Sequence, residues 1–146
     1  MNAIIREARE GDYSAIGNLI EHELGYSDID FTLLFERLKK IESEDDHMTY
    51  VAVMDNKIVG FIGLLKYIAY EIDTGYLRVL AMAVSQEHQN QGIGSMLLRQ
   101  AEKFAVENSI FHIMLTSNMK RLGAHIFYEH NDYVKKSYGF FKTLNE

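Results

Sequence analysis

The residues best placed to do chemistry are Gln89-Asn90-Gln91-Gly92-Ile93-Gly94-Ser95. They stand directly behind an apolar run that ends Leu80-Ala81-Met82-Ala83-Val84. Glycine lets the backbone come close to a ligand. The first turn of a helix leaves N–H groups without partners at its positive end. A strand, a glycine turn and a helix start, in that order, make a cradle for phosphate or pyrophosphate that needs no lysine. The plain alternative is a strand-to-helix turn with no ligand. Two better-known phosphate motifs are excluded: Leu97 stands where the dinucleotide fingerprint has its third glycine, and no Gly-Lys-Ser/Thr follows as in a P-loop.

Other chemistry is thin. The six histidines show no HExxH spacing and have no cysteine to join them, so no metal site is expected. The absence of cysteine excludes disulfides and a cysteine-borne acyl-enzyme.

Stepping outward, the turn needs a strand before it and a helix after it. Gly75 to Val84 is long and apolar, as expected of a central strand buried on both faces. Behind Gly92, the residues Ile93, Met96, Leu97, Ala101, Phe104 and Ala105 predict an amphipathic helix ending near Asn108. Earlier in the chain, Ala3–Ala8 reads as an edge strand and Asp12 as the N-cap of a helix that Gly25 stops. A second helix carries Phe31, Leu34, Phe35, Leu38 and Ile41 on one face, followed by a polar loop over Glu42–His47. Thr49–Met54 and Ile58–Leu65, joined by Asp55-Asn56-Lys57, give the strongest hairpin signal. Ile110–Thr116 reads as a strand, Leu122–His130 as a helix and Tyr133–Leu144 as a last extended segment. With no proline and no linker, 146 residues suit one mixed α/β domain over 1–146, with a central, largely antiparallel sheet.

The charge balance, 15 basic against 21 acidic residues for a net −6, disfavours DNA or RNA as a partner. It leans toward a cationic substrate, or it simply serves solubility. Tyr128, Tyr133 and Tyr138 suggest base stacking, but no basic groove accompanies them. Arg6, Glu7, Arg9, Glu10 and Asp12 interrupt any apolar run near the N-terminus, and no stretch approaches a membrane span. The expectation is a cytoplasmic protein with no membrane partner.

At Gln89-Asn90-Gln91-Gly92-Ile93-Gly94 the chain resembles the (Arg/Gln)-x-x-Gly-x-(Gly/Ala) signature of the GCN5-related N-acetyltransferase (GNAT) superfamily. The element order is similar throughout, as are Ala124-His125-Ile126-Phe127-Tyr128-Glu129 and the closing Tyr138-Gly139-Phe140-Phe141-Lys142. The resemblance implies a twisted sheet of six to seven strands, splayed at the cofactor site and flanked by about four helices. It implies acetyl-CoA as donor, a primary amine of a small molecule or peptide as acceptor, and direct attack in a ternary complex without metal. Backbone amides of Gln89, Asn90, Gln91, Gly92, Ile93, Gly94 and Ser95 would take the pyrophosphate. Met82, Ala83 and Val84 would pair with the pantetheine arm. Tyr128 would be the acid that protonates the departing thiolate. Asn118 lies nearby and would be a further CoA contact, at a spacing that differs from the family's.

Three departures carry weight, one of them Arg121, which stands where the family often has an asparagine three residues before the alanine that maps to Ala124. Leu80 stands where many members place a glutamate base, leaving Glu71, Asp73 or Glu23 as substitutes, with the base unassigned. Asp132 replaces a usual glycine after the late helix, although aspartate tolerates a left-handed backbone. The acceptor is expected between the first two helices, the loop Gly25–Asp28 and the segment Tyr67–Asp73. The family also admits a homodimer. The rival reading is a non-catalytic acyl-CoA sensor on the same fold.

Overall fold

Apolar runs rich in β-branched residues form strands, with neighbouring residues of β2 and β3 buried on both faces, and the strands make one sheet. They are β1 (Ile4–Glu7), β2 (His47–Met54), β3 (Lys57–Tyr67), β4 (Tyr76–Val84) and β5 (Ile113–Met114), in that spatial order. The computed structural model describes residues 2–145, which fall into two units, 2–114 and 115–145. Met1 and Glu146, the ends of the domain expected over 1–146, lie outside the described residues. The first three strand pairings are antiparallel, and β4 pairs β5 in parallel. At the β2–β3 hairpin both Asp55 and Asn56 are left-handed, with φ of 52° and 62°. That is the turn whose twist matches paired strands.

Helices α1 (Tyr13–Glu23) and α2 (Phe31–Ser43) cover one face of the sheet. Ile16, Leu19, Leu34 and Leu38 pack there with Val51, Phe61 and Ala83. Helix α3 (Ile93–Glu107) covers the other. Tyr50, next to Val51 on β2, points the opposite way and meets Phe104 edge to face, 5 to 7 Å being usual for such pairs and 6.2 Å the separation here. α3 lies close on β3: a Cβ at Gly60 would stand 3.3 Å from Leu97 Cδ1.

Several sequence expectations need correction. The described residues hold five strands, not six to seven. Ile110–Thr116 pairs only at Ile113 and Met114, and Tyr133–Leu144 carries no strand. In that last segment Val134, Tyr138, Phe140 and Phe141 are all exposed. With no buried face, nothing there selects a strand register. Glu42 and Ser43 belong to α2 rather than to a loop, and the Tyr13 hydroxyl donates to Glu42 at 2.9 Å. Asp12 stands before α1 but does not cap it. Its carboxylate is taken by the Arg6 guanidinium at 2.7 and 2.9 Å and by Arg9 N–H at 2.9 Å.

The second unit holds α4 (Leu122–His130). Asp132 is left-handed at φ 68°, and its N–H reaches Glu129 O at 3.1 Å while Tyr133 N–H reaches Tyr128 O at 3.0 Å. This is the pair of bonds that closes a helix at a left-handed residue, so aspartate fills the glycine's place. Among the described residues, no helix is long and apolar enough to cross a membrane.

Candidate active site

β4 delivers the chain to the glycine turn through Ser85 and a short 3-10 turn, Gln86–His88. Ser85 Oγ and His88 Nδ1 stand 2.7 Å apart across it. Asn90 is left-handed at φ 63°, and Gly92 at φ 82° caps α3. A Cβ on Gly92 would meet no protein atom within 4 Å, so the space in front of it is open. The first bond of α3 runs from Met96 N–H to Gly92 O at 3.0 Å. The N–H groups of Ile93, Gly94 and Ser95 therefore have no acceptor inside the helix, and they sit at its positive end. These features fit an anionic group.

β4 itself offers a second recognition element. β5 pairs with it only at Leu77 and Arg78. From Val79 to Val84 that edge of β4 has no strand partner among the described residues. Met82, Ala83 and Val84 lie on this stretch, paired on the other side with Ile62, Phe61 and Gly60. An open edge presents N–H and C=O groups to an extended ligand rich in amides.

Leu80 is a bulge. Gly63 pairs with Ala81 and the next residue, Leu64, with Val79, which leaves Leu80 without a partner on β3. A bulge kinks the strand and re-aims a side chain, and the Leu80 side chain is left 46% exposed.

The proposed base substitutes are not together. Gln86 N–H donates to Glu23 Oε2 at 3.2 Å, and Gln89 Nε2 reaches Glu23 Oε1 at 3.4 Å. That places the end of α1 beside the Val84 end of β4. Glu71 accepts from the Tyr76 hydroxyl at 3.2 Å, at the other end of the strand, where Tyr67 pairs with Tyr76 and their rings stack at 5.7 Å. The two ends are roughly 25 Å apart along β4. Sequence reading missed the contact of Glu23 with the turn. Residues 66 apart leave no local signal of a contact.

In the second unit, Tyr128 is half-buried, 5.4 Å from the Phe127 ring and 6.2 Å from that of Tyr133. Burial pushes its phenol pKa above the ordinary value, with Arg121 pulling it back. Asn118 uses its side-chain oxygen on Lys120 N–H at 2.9 Å. Its amide nitrogen is left to donate to a ligand. The Asn118 carbonyl stands 2.9 Å from His125 Nε2. No group of side chains able to hold a metal ion occurs among the described residues.

A sequence model described as the acetyltransferase (GNAT) family matches residues 1–133. The chain belongs to that family. This GNAT chain is similar to human N-acetyltransferase 8, with 27% identity over 116 residues, 77% of this chain and 51% of that protein. It spans about half the length of the curated relatives it matches. Among solved structures, a GNAT family acetyltransferase from Staphylococcus aureus is 31% identical with TM-score 0.81, covering 99% of this chain and 100% of that one. A protein described as a transcriptional regulator from Bacillus halodurans is 25% identical with TM-score 0.87, covering 98% and 100%.

Proposed function

We propose that this GNAT chain is an N-acetyltransferase that moves acetyl from acetyl-CoA to a primary amine of a small molecule or peptide. The observation that carries the reading is the open β4 edge running into a left-handed glycine and a helix N-terminus without a side-chain cap. The Ile93, Gly94 and Ser95 N–H groups bind the donor pyrophosphate. The signature residues Gln89, Asn90 and Gln91 shape the approach to Gly92, and the backbone of Met82, Ala83 and Val84 pairs with the pantetheine amides. The bound donor supplies an acetyl thioester, the electrophile for the amine. Tyr128 donates a proton to sulfur as the carbon–sulfur bond breaks. A thiol of pKa about 8.5 leaves more readily when a phenol of pKa about 10 shares its proton. An alkylammonium near pKa 10 must first lose a proton to attack, and Leu80 cannot take it, so the amine arrives neutral or gives its proton to water. Asn118 contributes an amide N–H to the donor. Transfer is direct, since no cysteine is present to carry the acetyl group.

The test is free-thiol release from acetyl-CoA with a panel of amines, together with calorimetric binding of acetyl-CoA. Amine-dependent thiol release supports the transferase. Tight binding with no release across the panel supports a second reading, an acyl-CoA sensor, which the apolar Leu80 at the bulge favours. Failure to bind acetyl-CoA overturns both.

A further inference from the structure

Glu23 is the last residue of α1, and both of its carboxylate oxygens are taken by the segment that precedes Gly92. Oε2 accepts from Gln86 N–H at 3.2 Å, and Oε1 accepts from Gln89 Nε2 at 3.4 Å. The same Nε2 donates to Val84 O at 3.0 Å. A glutamine amide nitrogen carries two hydrogens, so these two acceptors use both. The Gln89 side chain therefore faces the protein. It ties the last carbonyl of β4 to the end of α1 and leaves ligand contact to the backbone behind it.

This arrangement has a mechanical consequence. The chain from Ser85 to Gly92 is exposed for most of its length, and a glutamine side chain on such a segment loses up to about 2 kcal/mol of rotamer entropy when it is fixed. One exposed hydrogen bond returns about 1 kcal/mol, so a single acceptor does not hold it well. Two acceptors on Gln89 and a second bond at Gln86 together restrain the segment at three points. A phosphate cradle made only of backbone N–H groups depends on such restraint, because its donors must already be aimed when the ligand arrives.

We propose that Glu23 is a positioning residue for the donor. Through Gln89 and Gln86 it holds the segment Ser85–Gln91 in the shape that aims the N–H groups of Ile93, Gly94 and Ser95. The inference rests on the reading of this turn as the acetyl-CoA site. It assigns Glu23 to the turn rather than to the base.

The test is a double-mutant cycle read by calorimetry with acetyl-CoA, using wild type, Glu23→Ala, Gln89→Ala and the double variant. Each single change is expected to weaken Kd about tenfold, and the double variant to be no weaker than the worse single, the mark of two residues acting as one unit. Glu23→Gln keeps an oxygen for one N–H and recovers part of the affinity. In turnover, the loss falls on KM for acetyl-CoA more than on kcat. Thermal melts of every variant separate unfolding from weakened binding, and Glu23→Gln keeps the test alive if Glu23→Ala does not fold. Additive losses in the cycle, or a wild-type Kd in Glu23→Ala, overturn the proposal. A fall in kcat at unchanged Kd overturns it too, and would make Glu23 a base. A wild-type protein that does not bind acetyl-CoA sinks the donor reading itself, and this inference with it.

Discussion

Arg6 and Asp12 meet in a two-pronged ion pair, Nη1 to Oδ2 at 2.7 Å and Nη2 to Oδ1 at 2.9 Å, and the carboxylate takes Arg9 N–H as well. Asp12 is 6% exposed, so the pair is largely out of water. The hydrogen bonds from Arg6 hold the Asp12 carboxyl below its ordinary pKa, against the opposing pull of burial. The folded protein is then harder to protonate at this site than the unfolded one. The contribution is complete above the unfolded pKa, about 3.9, and is lost as pH falls through the lower folded value. Asp12→Asn should cost about 2 kcal/mol at neutral pH. Urea unfolding at neutral and at strongly acidic pH should show the gap between variant and wild type closing in acid. A gap of equal size at both would mean the charge on Asp12 is irrelevant.

Gly75 and Gly92 are both left-handed, at φ 73° and 82°, and they should answer differently to alanine. A side chain in that conformation costs about 1 kcal/mol. At Gly75 the added Cβ would also collide with the Tyr67 backbone carbonyl, which tightens the β3–β4 connection. Gly75→Ala should therefore lose about 3 kcal/mol of stability. At Gly92 the Cβ points into open space, so Gly92→Ala should lose only the conformational cost of about 1 kcal/mol. It should nonetheless weaken acetyl-CoA binding about tenfold or more, the equivalent of about 1.4 kcal/mol. Melting curves beside calorimetry resolve the two effects. Gly92→Ala with intact donor affinity would empty the cradle of meaning.

How far the sequence carried these conclusions depended on the range of the interactions. The Asp55-Asn56 turn, the helix from Ile93 and the αL closure at Asp132 were legible because a few neighbouring residues decide them. The glycine turn was legible for the same reason. Asp12 was misread as a cap because its partner, Arg6, lies on a strand whose position depends on tertiary contacts. The bulge at Leu80 was invisible, since it exists only as a mismatch between β3 and β4. The contact of Glu23 with Gln89 was invisible too. The last extended segment, Tyr133–Leu144, was over-read, since its apolar side chains Val134, Tyr138, Phe140 and Phe141 remain exposed.

Leu80 gives a direct test of the missing base. Its side chain is partly in solvent at a bulge, so Leu80→Glu should change stability by no more than about 0.5 kcal/mol. A carboxylate introduced there should accept the ammonium proton, directly or through water. The acidic limb of the pH–rate profile should then move to lower pH for an acceptor amine of high pKa. Steady-state thiol release across a pH series reads this shift. An unmoved acidic limb would mean that proton removal from the amine does not limit the wild-type reaction at all.

Tyr128 is the remaining chemical assignment, and its phenol makes the assignment testable. Burial raises its pKa, so the hydroxyl stays protonated to higher pH than in a free tyrosine, which loses its proton near pH 10. Stability linked to this group is present below the unfolded pKa and is lost as pH rises through the higher folded value. An acid in that state can keep supplying protons throughout the range in which amines become nucleophilic. Tyr128→Phe should therefore lower kcat about 100-fold, a usual share for a positioned general acid. The Phe127 and Tyr133 rings can still pack on the phenylalanine, so acetyl-CoA binding should be largely kept. Wild-type kcat should hold across the mildly alkaline range and fall only above pH 10, whereas an alkaline limb that persists in Tyr128→Phe would belong to another group. A variant as active as wild type would leave Tyr128 as packing alone, with the thiolate departing unaided.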